Sequence, residues 1–330
     1  MKKTILAWLL MAGMLSGLTG CGESVMQNAA DKVLRMEPDA SFMLGETYSD
    51  QQVSITPELV ILSETGVMAP MTEEEDGSVS AYTAEDKQDH LYLDYVATVE
   101  NTGTDSMNLQ EDLLVYALEG ENTYNECIIL AENGDGTDME DAGTLESGAS
   151  VRVHYGLILP ADLSEEEIEL RFIMPESAEI YSAPLEELQP KAADLTKDKA
   201  VKRADGVSLT LKSAKIADTV ESVSPAGGGY ALRPQTEGNQ MMDVVLEVTN
   251  GSGQDISLGT VYSGLMLQKH VAKPAMIVME ANQDMLYSGT IKAGSRVITH
   301  LVFELQEQPD DNSRVYVYFG GTYHTVIWEK

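Results

Sequence analysis

The stretch Tyr92 to Leu109, YLDYVATVENTGTDSMNL, returns later in the chain as Met241 to Leu258, MMDVVLEVTNGSGQDISL. This echo constrains the fold more than any other feature, because it requires two copies of one structural module. Asp94/Asp243, Val96/Val245, Val99/Val248, Asn101/Asn250 and Leu109/Leu258 are identical. Residue class agrees at alternate positions: Leu93, Tyr95, Ala97 and Val99 match Met242, Val244, Leu246 and Val248, with Asp94, Thr98 and Glu100 matching Asp243, Glu247 and Thr249 between them. A period of two predicts a β-strand with one apolar face. Each strand runs into Asn, Gly, Ser and Asp residues that tolerate tight turns. A chain of 330 residues is also long enough for two domains of ordinary size.

The remaining sequence can be laid out around the repeat. Val53-Ser-Ile-Thr corresponds to Val207-Ser-Leu-Thr, and Gly143-Thr-Leu-Glu-Ser-Gly148 to Gly289-Thr-Ile-Lys-Ala-Gly294. Each glycine-bounded segment feeds another alternating strand, in which His154 and His300 fall on the phase opposite the apolar residues. That phase predicts that both histidines face solvent or a neighbouring strand. Between the first and second strands of each copy lies a long irregular segment: the acidic 65–89, and the Gly- and Pro-rich 218–239 with Gly227-Gly-Gly229. Segments of this length are functional or disordered in compact domains, and the acidic one reads more readily as disordered. Residues 187–203, where the charge turns basic and the alternation lapses, read as a linker.

The first twenty residues carry Lys2 and Lys3, an apolar run, and the sequence Leu18-Thr19-Gly20-Cys21. This resembles a bacterial lipoprotein signal with its lipobox. The resemblance implies cleavage between Gly20 and Cys21, and lipidation of Cys21 through a diacylglyceryl thioether. Two acyl chains anchor a protein stably, at about 0.8 kcal/mol per buried methylene. Residues 21–39 then form a lipidated tether, and the protein is expected on the outer face of the cell membrane. Only Cys127 would remain as a thiol, which excludes an intramolecular disulfide. Its apolar setting, Glu-Cys-Ile-Ile-Leu, suits a small buried hydrophobe better than a nucleophile.

With 54 acidic against 21 basic residues, the formal charge of −33 disfavours nucleic acid as a partner. The 43% hydrophobic content, arranged with strand periodicity, argues that this acidic chain folds. Asn133-Gly-Asp-Gly-Thr-Asp-Met-Glu-Asp141 resembles a calcium loop only loosely, since the glycine and bidentate-glutamate positions of an EF-hand hold Asp138 and Thr144. Weak calcium binding at Asp135, Asp138, Glu140 and Asp141 is the most this spacing predicts, and no other cofactor is expected. None of the five histidines has a His-x-His or His-Glu-x-x-His spacing, and Gly-x-Ser-x-Gly and Cys-x-x-Cys are absent. An enzyme is therefore not the expected reading. Its alternative form is an envelope hydrolase or metal-dependent enzyme built on scattered carboxylates.

About seven short strands per copy, turn-rich junctions and little helix predict an all-β chain: two tandem antiparallel β-sandwiches over 40–186 and 204–330, following a 1–20 signal peptide. Val-x-Asn with its turn, followed by Gly-x-x-x-x-Gly and a second alternating strand, resembles the immunoglobulin-like domains of unknown function in lipoproteins of Gram-positive bacteria. That resemblance implies no catalytic residues. The expected function is a membrane-anchored extracytoplasmic binding or scaffold protein of the cell envelope, with an envelope protein or glycan as partner and the two long segments as candidate binding loops. Replacing Cys21 with Ala is expected to move the protein from the membrane fraction to the medium or to an uncleaved precursor. Fractionation with intact-mass measurement checks this, and an unchanged mature mass with full membrane retention would contradict it.

Overall fold

The structure, a computed structural model, describes residues 32–63, 72–73, 79–80, 90–132, 139–161, 163, 167–268 and 270–328. The chain divides into two compact units, the first ending at Pro190 and the main body of the second running from Lys191. In the first unit the main strands are β1 (Val53–Ser63), β2 (His90–Asn101), β3 (Leu114–Glu119), β4 (Cys127–Glu132), β5 (Ser150–Pro160), β6 (Ile168–Ile173) and β7 (Ile180–Pro184). The second unit repeats them as β8 (Val207–Ala217), β9 (Gln240–Asn250), β10 (Ser263–Gln268), β11 (Met276–Ala281), β12 (Arg296–Leu305), β13 (Arg314–Phe319) and β14 (Thr322–Val326).

Hydrogen bonding orders these strands as β1-β2-β5-β4 and β7-β6-β3 in the first unit, and as β8-β9-β12-β11 and β14-β13-β10 in the second. All these pairings are antiparallel. In both units this is the strand order of an immunoglobulin constant-type sandwich. The copies also share a bulge. The register of β1 on β2 shifts between Pro57 and Leu59, and that of β8 on β9 between Leu211 and Ser213. A bulge is where a strand can accommodate a proline, and it re-aims the extra residue. Glu58 thereby meets Arg152 at 2.8 Å, and Lys212 meets Asp198 at 2.7 Å.

Apolar residues on alternate positions fill the space between the sheets. In the first unit an aromatic cluster sits among the aliphatic side chains: Phe172 on β6 lies 6.3 Å from Tyr95 on β2, and Phe42 lies 5.1 Å from Phe172. In the second, Val244, Leu246, Leu301 and Phe303 of one sheet form one cluster with Met266, Val315, Val317 and Phe319 of the other. Complete burial of such a side chain contributes about 1.5–3 kcal/mol.

Two boundaries lie elsewhere than the sequence suggests. Residues 32–39, read as the end of a tether, belong to the first unit: Leu34 is buried with Tyr116, Leu118, Ile173 and Ile180. The Arg171 guanidinium donates to the Leu34 and Met36 carbonyls at 3.2 and 2.7 Å, and the Tyr116 hydroxyl donates to Leu34 at 3.0 Å. Within 187–203, read as a linker, Ala192–Leu195 pairs in parallel with β14 and Ala200–Lys202 pairs with β8. These strands are too short to register as an alternating pattern.

The repeated asparagine explains why Val-x-Asn and Gly-x-x-x-x-Gly occur together. Asn101 donates from Nδ2 to the carbonyls of Asp105 (2.9 Å) and Leu145 (2.8 Å), while its Oδ1 accepts from the Gly103 amide. Asn250 does the same with Gln254 (2.7 Å), Ile291 (2.9 Å) and the Ser252 amide. The second glycine of each motif, Gly148 or Gly294, donates its amide to the asparagine carbonyl at 2.8 Å. One buried amide side chain thus fastens a turn to the segment that leads into β5 or β12. Asn250→Ala would strand buried partners, and a loss of about 1–3 kcal/mol is expected in urea unfolding of the full chain. A loss below 0.5 kcal/mol, on the order of an ordinary surface substitution, would contradict the clamp.

Candidate functional site

The outer face of the β1-β2-β5-β4 sheet holds a buried ionic cluster. Asp94 on β2 lies diagonally across from His154 on β5, because the register pairs His154 with Val96 and Asp94 with Gly156. The His154 Nδ1–H donates to Asp94 at 2.9 Å, and the Nε2–H on the other side of the ring donates to Glu132 on β4 at 3.0 Å. Asp94 is fully buried and His154 is 3% exposed. Arg152 completes the cluster, bonding both Glu132 and the bulged Glu58.

The second unit builds the same arrangement from Asp243 on β9, His300 on β12 and Glu280 on β11. Nδ1–H donates to Asp243 at 2.8 Å and Nε2–H to Glu280 at 3.0 Å. No arginine takes part. Glu280 instead accepts from the Val223 amide (2.6 Å), the Ser224 amide (3.0 Å) and the Ser224 hydroxyl. These donors lie in 218–239, which covers the outer sheet face: Val220 and Leu232 form an apolar cluster there with Met241, Val278, Met285 and Val302. The candidate binding loop is therefore a packed lid. Gly227 and Gly228 reflect close approach: a Cβ on Gly228, whose φ is +61°, would stand 2.5 Å from the Gln283 carbonyl oxygen.

Both histidines are thus buried and turn towards residues of the neighbouring strands, the second of the two placements expected of them; neither faces solvent. Strand phase gave their face correctly, but that face is covered. Burial alone would lower their pKa, yet the flanking carboxylates prevail. Asp94, with Glu132, raises His154 to about 9, and Asp243 with Glu280 raises His300. Burial would conversely lift the carboxyls, but hydrogen bonds and charge from His154 and Arg152 hold Glu132 low, and Ser224 and His300 hold Glu280 low. In each cluster both ring nitrogens lie within 3.0 Å of a carboxyl oxygen, and His154, raised to about 9, is an imidazolium at neutral pH. This arrangement fixes three adjacent strands and leaves neither imidazole nitrogen free to bind a metal or take up a proton.

Of the other residues singled out in the sequence, Gly20, Cys21, Asp135 and Asp138 lie outside the described residues, as does most of 65–89, where the short strands Thr72–Glu73 and Val79–Ser80 pair. Glu140 and Asp141 are exposed on the edge strand Met139–Asp141 beside β4. Among the described residues no group of His, Cys, Asp and Glu side chains is placed to hold a metal ion. Cys127 opens β4, where burial pushes its thiol up and keeps it protonated.

Sequence reasoning singled out Asp94/Asp243 and His154/His300 but did not join them. The available signal was that both pairs repeat and share the phase opposite the core. Glu132 and Glu280 escaped notice because Cys127–Glu132 and Met276–Ala281 share apolar character rather than identities.

No protein-family model and no curated protein matches the chain. Among solved structures, an uncharacterized β-sandwich protein from Clostridium difficile 630 is similar at 17% identity and a TM-score of 0.37, over 45% of this chain and 95% of that one. A candidate lipoprotein of Bacillus subtilis is similar at 13% identity and a TM-score of 0.25, over 42% of this chain and 38% of that one.

The clusters set a pH dependence. A histidine with a raised folded pKa stabilises fully below its unfolded value near 6.5, and that contribution disappears as pH rises through the folded value. Glu132 and Glu280, held low, stabilise above about 4.5 and lose their contribution in acid. His324, kept neutral by burial, opposes this in the second unit by favouring folding above about 6.5. The first unit is therefore expected to be most stable between about pH 4.5 and 6.5 and to lose on the order of 3 kcal/mol by pH 9–10. His154→Gln should flatten the alkaline limb in urea titrations across pH, and an unchanged limb would contradict the assignment.

Proposed function

We propose that the chain is a lipid-anchored, extracytoplasmic binding or scaffold protein of the cell envelope that recognises an envelope protein or glycan through its second module. The observation that carries this reading is the lid 218–239. It is fastened to the sheet by Glu280 and Glu304, yet it turns Val223 and Tyr230 outwards, 55% and 49% exposed. Apolar and aromatic side chains on a rigid platform suit recognition, because little freedom is lost when a partner binds them.

The leader supports the location. If Cys21 carries the lipid, residues 22–31 span at most about 36 Å before Leu34 docks on the first module. That module would then stand close to the membrane surface. The sandwich architecture supports the binding class, since such folds display recognition segments on an unchanging core. The ionic clusters bond inwards, so they serve the scaffold in this reading.

The test uses the soluble chain 22–330 immobilised against purified envelope proteins and cell-wall glycans, in parallel with a Val223→Ser/Tyr230→Ser variant. Capture of a defined partner by the native chain, reduced at least tenfold in the variant, is expected. Equal capture by both, or turnover of a glycan substrate, would overturn the reading.

A further inference from the structure

The lid of the second module is held near its two ends by carboxylates, Glu280 and Glu304, and at its 225–226 turn by Gln283, whose backbone amide donates to Ala226 and whose side-chain amide donates to Pro225, both at 2.7 Å. Glu280 gathers the amides of Val223 and Ser224 and the Ser224 hydroxyl. Glu304 on β12 gathers the amides of Gln235 and Thr236, both at 2.9 Å, and the Asn239 side-chain amide at 2.7 Å. Between the two anchors lies the apolar cluster of Met241, Val278, Met285 and Val302 under Val220 and Leu232. We propose that the lid is an acid-released latch: protonation of Glu280 and Glu304 frees residues 222–239 and uncovers the apolar sheet face beneath.

The geometry makes the latch depend on charge. All six donors converge on two carboxylates, and hydrogen bonds to an ionised acceptor are roughly twice as strong as neutral ones. A protonated carboxyl also brings a donor of its own into a site already filled with donors. Glu280 is faced by Ser224 from the lid and by His300 from β12, with Asp243 behind His300; Glu304 is faced only by polar donors from the lid. The lid's own charged residues, Asp218, Glu221, Arg233 and Glu237, are exposed. Burial would lift Glu280 but Ser224 and His300 hold it low, and the Gln235 and Thr236 amides hold Glu304 low. The latch is therefore closed above about pH 4.5 and weakens as pH falls through the lowered values. This inference does not rest on the binding proposal, since it concerns only how the lid is held.

Hydrogen exchange by mass spectrometry on the chain 22–330 tests it. At pH 7 the Glu304→Gln variant should exchange peptides within 233–239 at least tenfold faster, with β8, β9 and β12 unchanged; the Glu280→Gln/Glu304→Gln variant, which also removes a partner of His300, should extend the gain over 220–238, by a larger factor than in β9, β11 and β12, and should bind an anilinonaphthalene dye that the native chain excludes. The native chain at pH 3.5, after correction for intrinsic exchange, should show the same pattern. Should the double variant not fold, Glu304→Gln alone is read at residues 233–239. Lid protection equal to native in the variants, loss of sheet protection equal to that of the lid in Glu304→Gln, or equal lid loosening by the turn variant Asp205→Asn would each overturn the latch.

Discussion

A histidine buried between two acidic side chains, with both ring nitrogens hydrogen-bonded, is the constraint on which both modules depend. Moving an ion out of water costs several kcal/mol even after relaxation, and the loss is recovered only when every charge is paired and hydrogen-bonded. Asp94, His154 and Glu132 meet that condition from three adjacent strands; Asp243, His300 and Glu280 pair in the same way, with the buried Oδ2 of Asp243 left without a hydrogen bond. The strands must then keep one register, because a slip of one residue would carry each charge to the opposite face. The cluster also requires that the outer sheet face be covered.

The two copies neutralise and cover that face differently. The first brings in Arg152 and, through the bulge, Glu58. The second brings in a segment of chain whose backbone amides serve Glu280 and whose Val220 and Leu232 extend the apolar cover. What the modules share in detail is polar: the Asp–His–Glu cluster, the Asn101/Asn250 clamp and the bulge. Their cores diverge, aromatic around Phe172 in one and rich in aliphatic and methionine side chains in the other. Apolar packing tolerates exchange at constant volume, whereas directional bonds do not.

Much of the fold was legible in the sequence because alternation reports which residues share a face. Leu93, Tyr95 and Ala97 were assigned inwards on that ground, and they are buried. Alternation cannot report what lies against the opposite face. His154 and His300 were accordingly placed on the right phase, with solvent and a neighbouring strand left as alternatives, since their acidic partners lie on other strands. Segment 218–239 carries no strand period because it follows the sheet surface as a lid, and Leu34 gave no strong signal because Val33, Leu34 and Met36 form too short an apolar group to show a period. The glutamates that complete the clusters were invisible to identity matching, although they share phase and strand with their counterparts.

The buried clusters are tested most directly by the protonation state of His154. Nitrogen-15 NMR of the histidine-labelled chain at pH 7 reads it without perturbing the fold. The structure predicts an imidazolium at His154, with Nδ1 and Nε2 both protonated, their N–H protons slow to exchange, and a titration near pH 9. A neutral His154 ring at pH 7, with one unprotonated nitrogen, would contradict the central role given to the buried ionic clusters.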